Sequence, residues 1–265
     1  MFSQQAAQGI ANAISFERLR ETIDELNVTR QQLLESERLA AIGKTAAFVA
    51  HEIRNPLATI GGWANSIGKN VNRPERVREA ADIILQESSR LEVMLKGVMD
   101  FARPSTPVFT MEDVNHIITA TLNRLHGMFD EAKVKPHAEL DVNLPRIKVD
   151  ASQLEQVLIN LMKNAVEAIA SRPAASPAGN IWVRSWRDGG DFVALGVKDD
   201  GGGMAPDILE HVFDPFYTTK HRGSGLGLAI SRGIIASHGG RLDIINTPGA
   251  GVDMVIRLPV GETSR

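Results

Sequence analysis

The fold class this sequence predicts is multidomain α and α/β, a helical front followed by an α/β sandwich, and three observations carry it. Proline is absent between residue 4 and Pro56 while apolar residues recur there at helical spacing. The cluster Arg103-Pro-Ser-Thr-Pro107 then stops a second helical run and reads as a linker. Beyond it, short runs that alternate in polarity are interleaved with amphipathic helices, the pattern of a mixed sheet layered on helices. At 265 residues, 43% of them hydrophobic, the chain has room for two ordinary domains with real cores.

The elements follow in order. Leu19, Ile23, Leu26 and Leu33 form a thin, imperfect heptad seam, a parallel coiled-coil signature covering residues 1–35. A lone amphipathic helix leaves that seam wet, and a second copy of the chain is the cheapest cover, which predicts a homodimer. The seam continues through Ile42, Ala46, Val49, Ile53, Ile60 and Ile67 to a turn at residues 68–74. Pro74 opens a helix reaching about Ala102, with Val77, Ala81, Ile84, Leu91, Leu95 and Val98 on its apolar side. Two antiparallel helices per chain over residues 36–107 make a four-helix bundle in the dimer. From residue 108 to residue 265 the pattern predicts a helix over 114–129, a strand over 134–142 and a strong helix over 150–170. A hairpin follows around Asp188-Gly-Gly, then a helix over 226–238 and a closing hairpin of 241–246 with 252–258.

The segment His51-Glu52-Ile53-Arg54-Asn55-Pro56-Leu57 holds the first candidate chemistry. At about 100° per residue His51 lies roughly 160–200° from Val49 and Ile53, so it faces away from the seam into water. Asn55 is rotated only about 40° from it, one turn along, and Glu52 is its neighbour. A lone histidine on a polar face is usually just a solvated side chain. Here the imidazole, neutral and nucleophilic near pH 7, stands beside a carboxylate able to take the proton released on attack. Pro56 also deletes a helical hydrogen bond one turn on, loosening the helix there.

Two glycine clusters, Asp199-Asp-Gly-Gly-Gly203 and Gly223-Ser-Gly-Leu-Gly-Leu228, are the second candidate. The latter opens into a helix, an arrangement suited to phosphate. The dinucleotide fingerprint fails because its third glycine is Leu228, and Gly43-Lys44-Thr45 is no Walker loop because the earlier glycine is Arg38. Asn160 and Asn164 share one helix face, either as a structural amide pair or as oxygen donors to Mg²⁺. Asp199, at a strand end, either caps the following turn or accepts from the exocyclic amine of a base.

Composition excludes much else. Net charge is −3, from 29 basic and 32 acidic residues with no dense basic run, which disfavours nucleic acid. Cysteine is absent, excluding disulfides and thiolate metal sites and fitting the cytoplasm. No 18-residue apolar window or signal-peptide pattern occurs, so the chain as given reads as soluble, unprocessed and without a membrane segment. The histidines at 116, 126, 137, 211, 221 and 238 form no metalloprotease-like pair and are assigned to surface or core.

Taken together these motifs resemble the sensor histidine kinases of two-component systems over nearly the whole chain. His51–Leu57 is similar to the H box, Asn160-Leu-Met-Lys163-Asn164-Ala to the N box, and Asp199–Gly203 to the first glycine box. Phe213-Asp-Pro-Phe-Tyr-Thr-Thr-Lys220 is similar to the F box, and 223–228 to the second glycine box. The resemblance implies a dimerisation and phosphotransfer bundle followed by a Bergerat-type ATP-binding domain shared with gyrase and chaperones, with a mobile lid between the F box and the second glycine box. It implies catalytic roles for His51, Glu52 and Asn55: acceptor, proton acceptor, and positioner of water for removal of phosphate from the regulator. It implies ATP and Mg²⁺ as cofactors, with Asn164 on the metal, Asn160 near the phosphates and Asp199 on adenine. By the same resemblance Lys163, Gly201, Gly203 and Lys220 are expected to line the nucleotide, and Gly223, Ser224, Gly225, Leu226 and Gly227 to surround the triphosphate. The implied partner is the receiver domain of a response regulator. Asp200 stands where the family often has Asn, and Asp253 with Met254 weakens a third glycine motif. Residues 2–13 resemble the last helix of a GAF sensor domain, implying an input domain upstream. The rivals are a degenerate ATP-binding scaffold that signals by partner binding alone and an ATP-driven clamp of the same superfamily.

Overall fold

The computed structural model describes residues 50, 51, 53–102, 107–172, 178–220, 223 and 225–261, with isolated positions before residue 50. They fall into two compact units, a helical one of residues 1–91 with 99–104, and a second of residues 105–265 with 92–98 of the second helix. The GAF-like segment, most of the heptad seam, Glu52 and Ser224 lie outside the described residues.

In the helical unit, α1 spans 53–69, with 50 and 51 also helical. Pro56 is buried and does not end the helix. Asn70 closes it: its N–H reaches the Ser66 and Ile67 carbonyls, and its side-chain amide donates to Ser66 O at 2.9 Å. The next helix, α2 (Pro74–Ala102), has proline at its first position, where the missing N–H costs nothing, and Glu75 in its first turn. Ile53, Ile60, Ile67, Val77, Ala81 and Ile84 are half-buried, as the seam predicts. Leu57 and Leu85 stay more than half exposed.

The second unit contains β1 (Thr110–Glu112), α3 (Val114–Arg124), α4 (His126–Ala132), β2 (Val134–Leu140), β3 (Ile147–Val149) and α5 (Ala151–Ala170). It continues with β4 (Gly179–Asp188), β5 (Phe192–Asp199), α6 (Pro206–His211), α7 (Gly227–Ser237), β6 (Arg241–Thr247) and β7 (Gly251–Pro259). The main sheet runs β2-β4-β5-β7-β6, with β2 and β4 parallel and the other pairs antiparallel. The expected hairpins close on Asp188↔Phe192 and Thr247↔Gly251.

One expectation fails: 114–129 is two helices, not one. Leu125 has φ −94° and ψ 2°, ends α3 by donating to Thr121 O, and starts α4 by accepting from Phe129 N. The break turns both Leu125 and Phe129 inward. Sequence reading also missed β1 and β3, which among the described residues pair only with each other, through three residues apiece.

The core lies between the sheet and α3, α5 and α7. Leu154, Leu158, Leu161 and Met162 of α5 meet Ile181, Val183, Leu195 and Ile256 of the sheet with no appreciable exposure. Burying one such side chain is worth about 1.5–3 kcal/mol. On the opposite sheet face, the Arg184 guanidinium lies 5.4 Å over Trp186 and the Lys198 ammonium 5.7 Å over Trp182. Asp253 pairs with Arg184 on this face, which is why a charge stands where the glycine motif is weakened.

Candidate functional site

α5 positions the central amides. Asp150 caps it, Oδ1 accepting from Ser152 N at 3.0 Å and Gln153 N at 3.1 Å. The apolar side of α5 is fixed by the core, so Asn160, Lys163, Asn164, Glu167 and Ala168 are turned to a cavity of about 390 Å³. Asp199, Gly203, Met204, Lys220, Gly223, Gly225 and Gly227 line the other walls. The sequence-predicted nucleotide residues therefore converge from α5, the end of β5 and the start of α7. Leu226 is fully buried beneath, and Gly201 lies in the Asp199 turn outside the lining.

The two amides have different partners. Asn160 Nδ2 donates to the buried Ser231 Oγ at 2.9 Å, tying α5 to α7, so part of its role is structural. Asn164 Oδ1 accepts from Lys220 Nζ at 2.9 Å, and the same ammonium pairs with Glu167. Neither Lys220 nor Glu167 was placed against Asn164 by sequence reasoning. The spacing of Asn164 and Glu167, one helical turn, was the available signal.

Asp199 is almost wholly buried. Its Oδ1 accepts from Gly201 N at 2.8 Å and Val252 N at 3.4 Å, so the turn-capping role is real and leaves Oδ2 outside these bonds. Burial pushes its carboxyl above the usual value, the two N–H donors pull it back, and the charges of Asp200 and Asp253 add to the rise. Gly251, at φ 129°, passes so close to the Asp199 carbonyl that any Cβ there would overlap it. Asp200 faces away into a network: Oδ1 accepts from Asn180 N and Oδ2 from Asn180 Nδ2, both at 3.0 Å, and Arg172 lies 3.2 Å from Oδ1. An aspartate suits this position because both of its oxygens accept.

At the base of the segment between F box and second glycine box, Phe216 N donates to Gly225 O at 3.0 Å. Gly225 has φ 66°, and a Cβ there would strike the Phe216 backbone. Phe216 itself holds φ 68°, a conformation that costs a non-glycine residue about 1–3 kcal/mol and that its buried ring helps to maintain.

On the helical unit His51 is exposed, as predicted. The Asn55 amide nitrogen lies 3.4 Å from His51 Nδ1. Either amide orientation matches one neutral tautomer: nitrogen donates to a bare Nδ1, or oxygen accepts from Nδ1–H and leaves the Nε2 lone pair outward. Asn55 thus touches the imidazole itself, where sequence reading assigned it to a water.

Comparison with known proteins decides the family. The phospho-acceptor model "His Kinase A (phospho-acceptor) domain" matches residues 41–107, and the model "Histidine kinase-, DNA gyrase B-, and HSP90-like ATPase" matches 149–262. The crystal structure of histidine kinase ThkA in complex with response regulator protein TrrA matches with TM-score 0.74 and 31% identity, covering 91% of this chain and 68% of that one. This chain belongs to the histidine kinase family. Among curated relatives, the kinase is 33% identical to the signal transduction histidine-protein kinase AtoS of Escherichia coli over 88% of its own length and 37% of that protein. It is 36% identical to the sensor histidine kinase ZraS of Salmonella typhi over 84% of its length and 47% of that protein. The chain therefore spans less than half the length of these two relatives. Among the described residues no helix of the kinase is long and apolar enough to cross a membrane.

Proposed function

We propose that this chain is the catalytic portion of a homodimeric, cytoplasmic sensor kinase that transfers the γ-phosphoryl of Mg-ATP to His51 and then to an aspartate of a response regulator receiver domain. The observation that carries this reading is the cavity in which Asn160, Asn164, Asp199, Lys220 and the 223–227 glycines converge, in a chain that also presents an exposed helical histidine. The proposed divisions are a signalling helix over 1–35, a dimerisation and phosphotransfer hairpin over 36–107 and an ATP-binding domain over 108–265.

In the transfer, the His51 imidazole nitrogen forms the N–P bond as the bond to the β,γ-bridging oxygen breaks and ADP leaves. Glu52 takes the imidazole proton, and Asn55 holds the ring before it positions water for dephosphorylation of the regulator. Phosphoryl transfer is mainly positioning and charge neutralisation, so the linker must let the ATP-binding domain reach His51. Lys163 and Lys220 offer positive charge to the phosphates, Gly223, Ser224, Gly225 and Gly227 offer backbone N–H groups, and Asp199 Oδ2 accepts from the adenine amine with Gly201 and Gly203 shaping its turn.

Among the described residues no cluster of three or more His, Asp or Glu is placed to hold a metal. The donor chemistry still fits Mg²⁺, which keeps waters and binds largely through substrate phosphates, with Asn164 Oδ1 as its protein oxygen. When bound the ion supplies neutralisation of the phosphate charge. The same oxygen now holds the Lys220 ammonium, so the site already accommodates a cation.

The test is sequential transfer. The chain is labelled with γ-labelled Mg-ATP, freed of nucleotide and mixed with receiver domains from its source. The label should leave the kinase and appear as an acyl phosphate on one receiver. ATP binding without any labelling would favour the scaffold reading.

A further inference from the structure

Of the histidines that the mechanism leaves unused, His238 is buried and fully engaged at the far end of α7 from the cavity. Its Nε2 accepts from Asp150 N at 3.0 Å, so its proton sits on Nδ1, which donates to Ile234 O at 2.8 Å. Its ring meets Phe109 edge to face, centroids 5.0 Å apart. Asp150 divides its carboxylate between two tasks. Oδ1 caps α5, while Oδ2 accepts from Val108 N at 2.9 Å, on the segment that enters the ATP-binding unit. Burial alone would raise its carboxyl, but the Ser152 hydroxyl, which donates to Oδ1 at 2.7 Å, together with the Val108, Gln153 and Ser152 N–H groups holds it below the ordinary value.

We infer that Asp150 and His238 form a dock for the linker, seating Val108 and Phe109, and are positioning residues for phosphorylation of His51. This rests on the reading of His51 as acceptor. The dock stands at the start of α5 and the end of α7, two of the helices that line the proposed nucleotide cavity. The linker therefore leaves the ATP-binding unit at a fixed point and in a fixed direction relative to the bound nucleotide. Direction matters more than length. Without the dock the first anchor is β1, and lengthening a tether from about five to about seven residues lowers effective concentration by less than about twofold. A larger loss of rate must come from the lost orientation.

Two variants address the dock without touching the cavity. Asp150→Asn keeps a good cap, since asparagine caps as well as aspartate, but turns an N–H₂ toward the Val108 N–H. Val108→Pro removes that N–H, and Val108 is exposed. In the full chain, two quantities are measured: the initial rate of His51 labelling at saturating Mg-ATP, and the calorimetric Kd for Mg-ATP. Each variant should label about fivefold more slowly, at the lower end for coupled sites. Kd should stay within about twofold, and the double variant should be no slower than the worse single one. Unchanged rates, effects that multiply, or a Kd that weakens in step with the rate would overturn the proposal. Hydrogen exchange at the Val108 amide reads the dock independently of activity: slow in the parent and fast in Asp150→Asn. Equal exchange in both overturns the dock even where the parent labels. A parent with slow exchange and no label at His51 overturns the phosphotransfer reading and, with it, the positioning role.

Discussion

The two units differ in how completely one chain satisfies them. In the ATP-binding unit the large side chains of α5 and the sheet are almost wholly buried, and the polar groups at the cavity bond across elements, as in Asn160 to Ser231 and Lys220 to Asn164. In the helical unit Leu57 and Leu85 remain more than half exposed, and Ile53, Ile60, Ile67, Val77, Ala81 and Ile84 are only half-buried. In the proposed homodimer a second copy of the chain covers apolar surface of that kind. On the proposed reading, binding of nucleotide is built into one polypeptide, whereas the helix that carries His51 reaches its working form by association.

The largest expected effect lies inside the complete unit. Asn164→Ala should weaken Mg-ATP binding by about a hundredfold, on the order of 3 kcal/mol, because it removes both the proposed metal oxygen and the anchor of Lys220. Calorimetry showing parental affinity would make Asn164 a structural amide and leave the cavity without its central contact.

Next in size is the melting behaviour. The full chain should show one transition that rises with protein concentration and belongs to the helical unit, and a second that does not. Saturating Mg-ATP should raise only the second, by about 2.7 kcal/mol at a hundred times Kd. A single transition independent of concentration would erase the contrast between the units.

Smaller differences are expected on the acceptor helix. Glu52→Gln should lower autophosphorylation far more than it lowers dephosphorylation of the regulator, because its proton acceptor is lost. Asn55→Ala should keep autophosphorylation within about tenfold, roughly 1.4 kcal/mol of barrier, while strongly slowing dephosphorylation. The contact of Asn55 with His51 Nδ1 is the reason some loss of autophosphorylation is expected at all. Equal depression of both activities by both variants would deny the division of labour.

The smallest effect concerns Asp199. Its carboxyl is raised in the folded protein, so it favours the fold while protonated and that contribution is lost as pH rises through its folded value. Asp199→Asn should therefore slightly raise the neutral-pH melting temperature of the nucleotide-free chain while removing adenine recognition, provided the amide oxygen still accepts from Gly201 N. A lower melting temperature would mean the carboxylate is needed by the turn. In the parent, nucleotide affinity should begin to fall with acidification at a higher pH than an ordinary aspartate would give.

Much of the fold was legible because its signals are local. Asp150 before an amphipathic run, Asp188-Gly-Gly between alternating segments, and glycines opening α7 each determine backbone geometry within a few residues. The pairing of β1 with β3 was not legible, since three-residue strands carry too little alternation to distinguish from loop. Nor was the break at Leu125, which is set by where Phe129 must pack. At the site, the spacing of Asn160 and Asn164 placed both amides on one face, but their different partners come from α7 and from the F-box segment. The second task of Asp150 was hidden for the same reason, because Val108 and His238 lie 42 and 88 residues away in sequence.

The most direct test of the central claim is the site of phosphate on the kinase. The purified chain is incubated with γ-labelled Mg-ATP, and the phosphate is assayed for acid and base stability and mapped by mass spectrometry in the parent and in His51→Gln. The parent should carry acid-labile, base-stable phosphate on His51 and the variant none, with its Mg-ATP affinity unchanged. Full labelling of His51→Gln, or acid-stable phosphate on another residue of the parent, would contradict it.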